Sequence, residues 1–289
     1  KTYIKKELRV ILEEFGDKRR CQIVSDVVSA QAFNDEDMIP AENVTVVLSE
    51  KGWVKAAKGH DIDSASLNYK SGDSFLKDAK GRSNKMAIFI DSTGRSYTLL
   101  ANSLPSARGQ GEPLTGRLTP PIGAEFIDVV MGDDEQQIIL SSDAGYGFIS
   151  TLGNLQSKTK SGKHAITLSK QARTMRVTKV DDIESDFLAV VTNRARLLIF
   201  PVSELPQLSK GKGNKLIQIK KEDFQAREEF LIGICTIKSS QKLRVEYGNG
   251  KKHKNYSFED LVNFTSHRAR KGLSIPGVHG KALGIDVID

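Results

Sequence analysis

The feature that most constrains this chain of 289 residues is a repeat with a period of about 50 residues. Five times, an apolar run leads into a tight turn, a second apolar run and then a loop. The turns are centred on five positions: Gly52, Gly94, Gly145, Ala195 and Gly250. Self-similarity at such a period indicates one supersecondary unit that is stacked or arranged radially.

Each repeat has the composition of short β-strands. β-branched and aromatic residues flank Gly, Asp and Asn turns, which is typical of β-hairpins, and another short apolar run such as 126–130 lies between successive hairpins. About four strands per repeat predict an all-β, five-bladed, propeller-like array over 44–289. The predicted repeats are 44–84, 85–135, 136–185, 186–240 and 241–289. A linear β-solenoid is the alternative, and the period favours four-stranded blades. The aromatic residues after the first four turns are expected in the core: Trp53, Tyr97, Phe148 and Phe200.

The first 43 residues differ from the repeats. Ile4, Leu8, Ile11, Leu12 and Phe15 recur at helical spacing, so residues 1–15 are predicted to form a short α-helix that Gly16 ends in a left-handed conformation. Residues 17–43 are polar and indicate a linker. The apolar face of the helix is expected to pack on an upstream part of a longer protein, of which this sequence, lacking an initiator Met, is a fragment.

The chain is basic, with a formal net charge of +7 and a pI of about 9.2. Such a balance favours a polyanionic partner, with nucleic acid first and an anionic membrane second, and a merely soluble surface is the alternative. No membrane span is expected, since the sequence has no apolar run of about 18 residues. Cys21 and Cys235 lie in unrelated contexts, which is typical of a reducing compartment and argues against a zinc site.

No catalytic or metal-binding constellation is present in the sequence. It contains no phosphate-binding loop with a Gly-Lys-Ser/Thr end, no dinucleotide spacing, no nucleophile elbow and no paired zinc histidines. The pairs Asp133-Asp134 and Asp181-Asp182 are predicted to be solvated turn residues, and 60–63 a hydrogen-bonded loop. We therefore predict no catalytic residue, no metal and no cofactor for this chain.

The positive signal is a basic, glycine-containing loop after four of the hairpins, at 106–111, 157–163, 209–215 and 267–272. In a radial array these four rim loops should recur on one rim, where Gly lets the backbone approach phosphates and Lys and Arg neutralise them. Such a track predicts sequence-tolerant, salt-dependent binding of duplex DNA that bends around the rim, and solvated loops without a ligand are the alternative. The predicted DNA-binding residues are cations of these loops and of other parts of the repeats: Lys58, Lys70, Arg95, Arg108, Arg117, Lys158, Lys160, Lys163, Arg194, Arg196, Lys210, Lys212, Lys215, Arg268, Arg270 and Lys271.

Several stretches are similar to a known family. They are distributed over nearly the whole chain and are 15–20, 52–55, 58–63, 91–97, 104–116, 142–148 and, most specifically, 200–215. On these residues the chain resembles the C-terminal domains of bacterial topoisomerase IV A subunits, which are relatives of gyrase A subunits. The resemblance implies a β-pinwheel with strand exchange between blades and a DNA-binding rim. It also implies that residues 1–43 are the end of the dimerisation-region helix plus a linker.

The resemblance further implies a place in an ATP-hydrolysing type IIA topoisomerase of the bacterial cytoplasm, associated with the chromosome. Its partners would be duplex DNA, the topoisomerase IV B subunit, and a second copy of the A subunit. Its role would be to orient a DNA segment for decatenation and relaxation during chromosome segregation. ATP and Mg²⁺ would bind elsewhere in that holoenzyme, and the catalytic Tyr would lie upstream.

One departure from the related gyrase subunits is informative. The gyrase A subunits carry a Gln-Arg-Arg-Gly-Gly-Lys-Gly box in the first repeat, whereas the corresponding loop here, 66–73, has Lys70 as its one basic residue. This difference argues against gyrase-like chiral wrapping. The alternatives to a topoisomerase IV function are a gyrase wrapping domain and a propeller-type protein-interaction module. The fifth repeat departs most from the others. Its contact with the first repeat is therefore not predicted, and an open ring is the alternative to a closed one.

Overall fold

The computed structural model describes residues 1–17, 41–248, 250, 252–278 and 280–288. The chain divides into two compact units between Met38 and Ile39. The first contains the helix α1 (Thr2–Phe15), whose apolar face is exposed and which has no buried residue. Gly16 ends this helix in an extended conformation, with φ −75° and ψ 127°, so the predicted left-handed end is wrong. Its N–H instead closes the last turn on the carbonyl of Leu12 at 2.9 Å. Most of the predicted linker lies outside the described residues.

The second unit contains five β-hairpins, one for each predicted repeat. The hairpin strands are β1 (Asn43–Ser49) with β2 (Trp53–Lys58), β4 (Met86–Asp91) with β5 (Arg95–Leu100), β8 (Gln137–Ser142) with β9 (Tyr146–Thr151), β12 (Phe187–Thr192) with β13 (Arg196–Pro201), and β16 (Lys242–Tyr247) with β17 (Lys252–Tyr256). All five predicted turn positions have positive φ, from 54° at Ala195 to 85° at Gly94. The predicted turn positions are therefore confirmed.

Each hairpin gains a third strand that follows it along the chain. These inner strands are β3 (Phe75–Arg82), β7 (Phe126–Val130), β11 (Thr178–Lys179), β15 (Leu231–Ile237) and β19 (Ala282–Ile288). Each pairs with the first strand of its hairpin, and inner strands of neighbouring blades contact one another at three places: β3 with β7, β11 with β15, and β15 with β19. The five sheets confirm the predicted five-bladed fold.

A fourth, short strand comes from the following repeat. The exchanged strands are β6 (Glu112–Pro113), β10 (Lys163–His164), β14 (Asn214–Lys215) and β18 (Leu273–Ser274). Each pairs with the second hairpin strand of the blade before it, at the outer edge of the sheet. This is the strand exchange that the resemblance implied. Within the described residues, blade 5 has three strands and receives no exchanged strand.

The core consists of apolar layers between consecutive blades. Ala87 and Phe89 of β4 pack against blade 1, while Ile88 and Ile90 of the same strand pack against blade 3. The alternation of side chains along a strand thus buries both faces of a hairpin. The aromatic prediction is correct for Tyr97, Phe148 and Phe200, which are fully buried, whereas Trp53 is only half-buried.

A buried carboxylate joins the inner parts of three blades. Asp128 on β7 is fully buried and accepts hydrogen bonds from the backbone N–H of Val177 at 2.7 Å and of Val129 at 2.9 Å. Lys77 of β3 and Arg176, just before β11, supply nearby positive charge. Burial nevertheless raises the pKa of Asp128 from 3.8 to about 6, because desolvation exceeds the stabilisation of the carboxylate by these groups.

The raised pKa predicts a pH-dependent stability. Since folding favours the protonated Asp128, its contribution to the free energy of unfolding should be full below pH 4 and should fall by up to about 3 kcal/mol as the pH rises through 6. We expect urea denaturation between pH 4 and 7.5 to show wild type losing stability relative to Asp128→Asn as the pH rises, with a plateau above about pH 7. A difference between the two proteins that does not vary with pH would contradict this assignment.

Candidate nucleic-acid interface

The strand exchange places all four rim loops at equivalent positions. Before each exchanged strand, the chain runs parallel to the second hairpin strand of the previous blade, bridging Ser106 to Ala56, Gln207 to Ile149 and Thr265 to Ile199. In blade 2 the corresponding contact is the N–H of Ser157 donating to Thr98 Oγ1 at 2.9 Å. The chain then turns outward as the rim loop and returns antiparallel as the exchanged strand. Each rim loop therefore lies at the outer edge of a sheet, on blades 1 to 4.

The turn that receives each exchanged strand is fixed by buried polar groups, as blade 2 shows. Asp91, fully buried, accepts hydrogen bonds from the N–H of Thr93 at 2.8 Å and of Arg95 at 3.0 Å and from the hydroxyl of Tyr97 at 2.7 Å. The carbonyl of Gly94 then accepts the N–H of Ala165, just after β10. The turn sequence thus holds both its own hairpin and the end of the incoming strand.

A glycine stands directly before each exchanged strand and is needed for the exchange. Each has positive φ, and a Cβ there would lie within 2.9 Å of a carbonyl oxygen of the previous blade: Gly111 against Val54, Gly162 against Ser96, Gly213 against Gly147 and Gly272 against Leu197. These residues are close to the backbone of the neighbouring blade. At these four positions the strand exchange itself requires glycine, a role that the sequence did not predict, and the approach of phosphates to the loops stays a prediction.

Most of the rim-loop cations point to solvent without an acidic partner. Among the residues that the structure describes, six are exposed and make no side-chain hydrogen bond or ion pair: Arg108, Lys158, Lys160, Lys210, Arg270 and Lys271. Lys215 on β14 is also exposed. Lys212 is exposed and lies over the ring of Tyr146, with Nζ 3.9 Å from the centroid. These groups can bind a polyanion without first breaking an ion pair with a carboxylate of the protein.

Other predicted cations are engaged within the protein. Arg194 contacts Asp223 at 3.3 Å and Glu228 at 2.8 Å, and both Arg194 and Arg196 lie within 3.7 Å of the buried Glu229. These two arginines neutralise a buried carboxylate at the turn of blade 4. The structure therefore separates them from the exposed set.

Four more predicted residues are partly engaged at the blade edges. Arg117 pairs with Glu112, and Lys58 pairs with Glu42 at 2.8 Å across an exposed surface. The guanidinium of Arg268 bonds the carbonyl of Glu204 at 3.2 Å, and Arg95 bonds that of Ser161, in the rim loop of blade 2, at 2.8 Å. Arg95 and Arg268 therefore brace the rim.

Two lysines of the predicted set differ from the rest. Lys163 on β10 is half-buried, and desolvation lowers its pKa. Lys70 is exposed beside blade 1, with Nζ 4.7 Å from the ring centroid of Trp53. Lys70 lies in the connection from β2 to β3, which, unlike the corresponding segments of later blades, contributes no exchanged strand within the described residues. It is thus on a different kind of loop from the rim lysines.

The predicted set missed the outer edge of blade 5. Lys252 and Lys254 are exposed on β17, the strand that occupies in blade 5 the place of β2 in blade 1. The signal was present, because the turn of the fifth repeat is the most basic of the five turns. The rim loop that follows this hairpin, 267–272, lies on blade 4 because its strand β18 is exchanged. Within the described residues no rim loop lies on the outer edge of blade 5, and so the pattern of basic loops did not point to these residues.

Across the described part of the chain, no three or more His, Cys, Asp and Glu side chains come together as a metal site. Among the same residues, no helix has the length and apolar character needed to cross a membrane.

Comparisons with known proteins place this architecture. The family model described as the DNA gyrase C-terminal domain, a beta-propeller, matches residues 136–180 and 186–224. The A subunit of DNA topoisomerase 4 from Pseudomonas aeruginosa is 49% identical over 276 residues, which are 96% of this chain and 36% of the relative. The corresponding protein of Escherichia coli K12 is 44% identical over 275 residues, covering 95% of this chain and 36% of that relative. The chain thus spans about a third of the length of these curated relatives.

A solved structure extends the comparison to the fold. The E. coli ParC C-terminal domain superposes with a TM-score of 0.77 and 44% sequence identity, covering 86% of this chain and 99% of that chain. Similarity therefore extends over nearly all of a solved domain, in both sequence and fold.

Proposed function

The chain belongs to the family of C-terminal domains of topoisomerase IV A subunits, and from that premise we propose that it binds and bends duplex DNA along the outer edges of its blades. The binding is sequence-tolerant, since the exposed groups are lysine and arginine side chains on loops rather than a helix or ribbon shaped for a groove. The fold alone does not imply DNA binding, and the proposal therefore depends on where these positive charges lie on the fold.

The observation that carries the proposal is the equivalence of the four rim loops. Each is held between a contact with the second hairpin strand and an exchanged strand on the outer edge of its blade, so each presents its cations at the same radial position. Loops repeated around an array form a curved series of positive charges, and a stiff duplex that contacts more than two of them must bend. The charge is uneven: the rim loop of blade 1 has Arg108 as its one basic residue, whereas those of blades 2 to 4 have three each. Blades 2 to 4 are therefore the stronger part of the track.

In the whole protein, this domain serves the strand passage of an ATP-hydrolysing type IIA topoisomerase. It engages one DNA segment and orients it, while ATP and Mg²⁺ bind in other parts of an assembly of two A subunits with B subunits. The expected reactions are decatenation and relaxation during chromosome segregation, in the bacterial cytoplasm. The first-blade loop, with Lys70 where gyrase has several basic residues, supports these reactions over gyrase-like wrapping.

A titration of duplex length against salt tests the proposal. We expect affinity to rise with length from about one to four helical turns, because longer duplexes reach more rim loops. Its logarithm should fall linearly with the logarithm of salt, with a slope near −0.9 for each phosphate contact. Weak binding of all lengths at low salt, or a slope near zero, would count against the DNA proposal and favour a protein partner for the rim.

A further inference from the structure

Beside the rim of blade 2, one turn presents an apolar side chain entirely to solvent. Ile122 is 107% exposed, the highest value among the large apolar side chains of the described residues. It lies in the sequence Pro120-Pro121-Ile122-Gly123, between the exchanged strand β6 and the inner strand β7. A single exposed aliphatic residue is common on protein surfaces and does not by itself indicate a function. A function for Ile122 must therefore be argued from the residues around it.

The turn that carries Ile122 is rigid. The N–H of Ala124 donates to the carbonyl of Pro121 at 3.0 Å, and Gly123, the third residue of the turn, has φ 78°. This is the signature of a type II turn, with Ile122 at the corner. The two prolines before it restrict the backbone further. Ile122 is therefore held out at a fixed place rather than on a flexible loop.

Both ends of this turn are tied to parts of blade 2 that carry charge. On one side, the N–H of Thr119 donates to the carbonyl of Lys160, in the rim loop, at 2.8 Å. On the other side, Glu125 pairs through its backbone with Ser92, and its carboxylate lies 3.8 Å from the exposed Arg173. Ile122 is three positions along the chain from Thr119, a span of at most about 11 Å. An apolar tip thus stands beside rim-loop lysines.

A cleft of about 290 Å³ adjoins the start of the turn and concentrates positive charge there. It is lined by Arg117, Lys158 and Lys160 together with the hydroxyl-bearing Ser157 and Thr159. Arg117 is held by Glu112, while the two lysines are exposed. Phosphates drawn to these lysines would bring the adjoining base pairs to the side chain of Ile122.

We propose that Ile122 is a wedge that enters the minor groove and partly unstacks one base step of the duplex held by the rim, and so concentrates the bend at blade 2. Proteins that bend DNA commonly insert an apolar side chain in this way while cations hold the flanking phosphates. The wedge rests on the DNA-binding function proposed above. It predicts a preference for flexible pyrimidine–purine steps such as TA, because these steps kink at lower cost.

The test compares bending and step preference with affinity. Duplexes labelled at both ends for energy transfer would carry a central TA step or a GC step in otherwise identical sequence. With the wild-type chain we expect binding to raise the transfer and to be severalfold tighter for the TA duplex, as the lower cost of kinking that step predicts. With Ile122→Ser the rise in transfer should be smaller, since the rim alone still bends the duplex, and the step preference should be lost, while the dependence of affinity on salt stays unchanged.

Two further variants separate the wedge from other effects. Ile122→Leu keeps an apolar tip and should retain both bending and step preference. Leu283→Ser removes another exposed aliphatic side chain, on the inner strand β19, and should behave as wild type. Salt-dependent binding by Ile122→Ser with unchanged transfer and unchanged step preference would overturn the wedge and leave DNA binding intact. Failure of the wild-type chain to bind duplex would overturn both proposals.

Discussion

Replacing the six exposed, unpaired rim cations with Gln is expected to reduce the affinity for duplex DNA by about a thousand-fold or more at low salt. The residues are Arg108, Lys158, Lys160, Lys210, Arg270 and Lys271. Each lost phosphate contact lowers the magnitude of the salt slope by about 0.9, so six contacts account for about 5 units of slope. None of the six side chains makes a hydrogen bond or ion pair within the described structure, so the fold should be unaffected. Fluorescence anisotropy across a salt series measures both quantities.

A charge-matched control separates the place of the charge from its amount. Six other exposed cations, on α1, β3, the short helix Lys221–Gln225 and β16, can be changed to Gln together: Lys5, Lys6, Arg9, Lys80, Lys221 and Lys242. Both variants lose the same formal charge, but only the first loses the rim. If the two variants bound DNA equally well, the attraction would belong to the net charge and the rim track would be rejected.

Much of the fold could be predicted because its signals are local. The hairpins of the first four repeats lie within about 20 residues of chain, and the turn positions Gly52, Gly94, Gly145 and Ala195 show directly as Gly or small residues between apolar runs. Full burial of Phe148 and Phe200 likewise agrees with the expectation from their recurrence on successive second hairpin strands, which failed for Trp53. Periodicity, turn chemistry and apolar content all indicated the same unit, which is when prediction from sequence is strongest.

The strand exchange could not be derived from the residue pattern and was implied only by the family resemblance. An exchanged strand such as Glu112–Pro113 is two residues long and pairs with Trp53 and Val54, about 60 residues earlier in the chain. Two residues carry no periodicity, and the pairing depends on the packing of two blades. The role of Gly111 in the exchange was not predicted for the same reason, since its close neighbour is the carbonyl of Val54.

The candidate site was predicted in its outline but not in its detail. Charge runs in 157–163 and 209–215 are visible in the sequence, whereas pairing is not. From the sequence, Arg194 and Arg196 were predicted to bind DNA just as the rim lysines were. In the structure, Glu229, more than 30 residues later, lies beside both arginines. Which cations are available to a ligand is decided by tertiary contacts, and so it could not be obtained from composition or spacing.

The strand exchange predicts a large loss of stability when Gly111, the glycine that ends the first rim loop, is replaced. Gly111 has φ 90°, and a Cβ there would lie 2.5 Å from the carbonyl oxygen of Val54. Gly111→Ala therefore combines a backbone conformation that costs about 1–2 kcal/mol for an L-residue with a contact that only displacement of β6 can relieve. We expect it to lower the free energy of unfolding by at least about 2 kcal/mol in urea denaturation. Amide exchange should also speed up at Val54 and Leu114, whose backbones meet the exchanged segment.

The same loop supplies the matched control. Gly109 has no positive φ, and the nearest atom to an added Cβ is the carbonyl oxygen of Ser106 at 3.9 Å, so Gly109→Ala should leave stability within about 0.5 kcal/mol of wild type. Gly213→Ala, with a Cβ 2.2 Å from the carbonyl oxygen of Gly147, should repeat the loss in blade 3. Because the two substitutions in loop 106–111 add the same methyl group two residues apart, equal stability of Gly111→Ala and Gly109→Ala would mean that close packing of the exchanged strand does not hold the blades together.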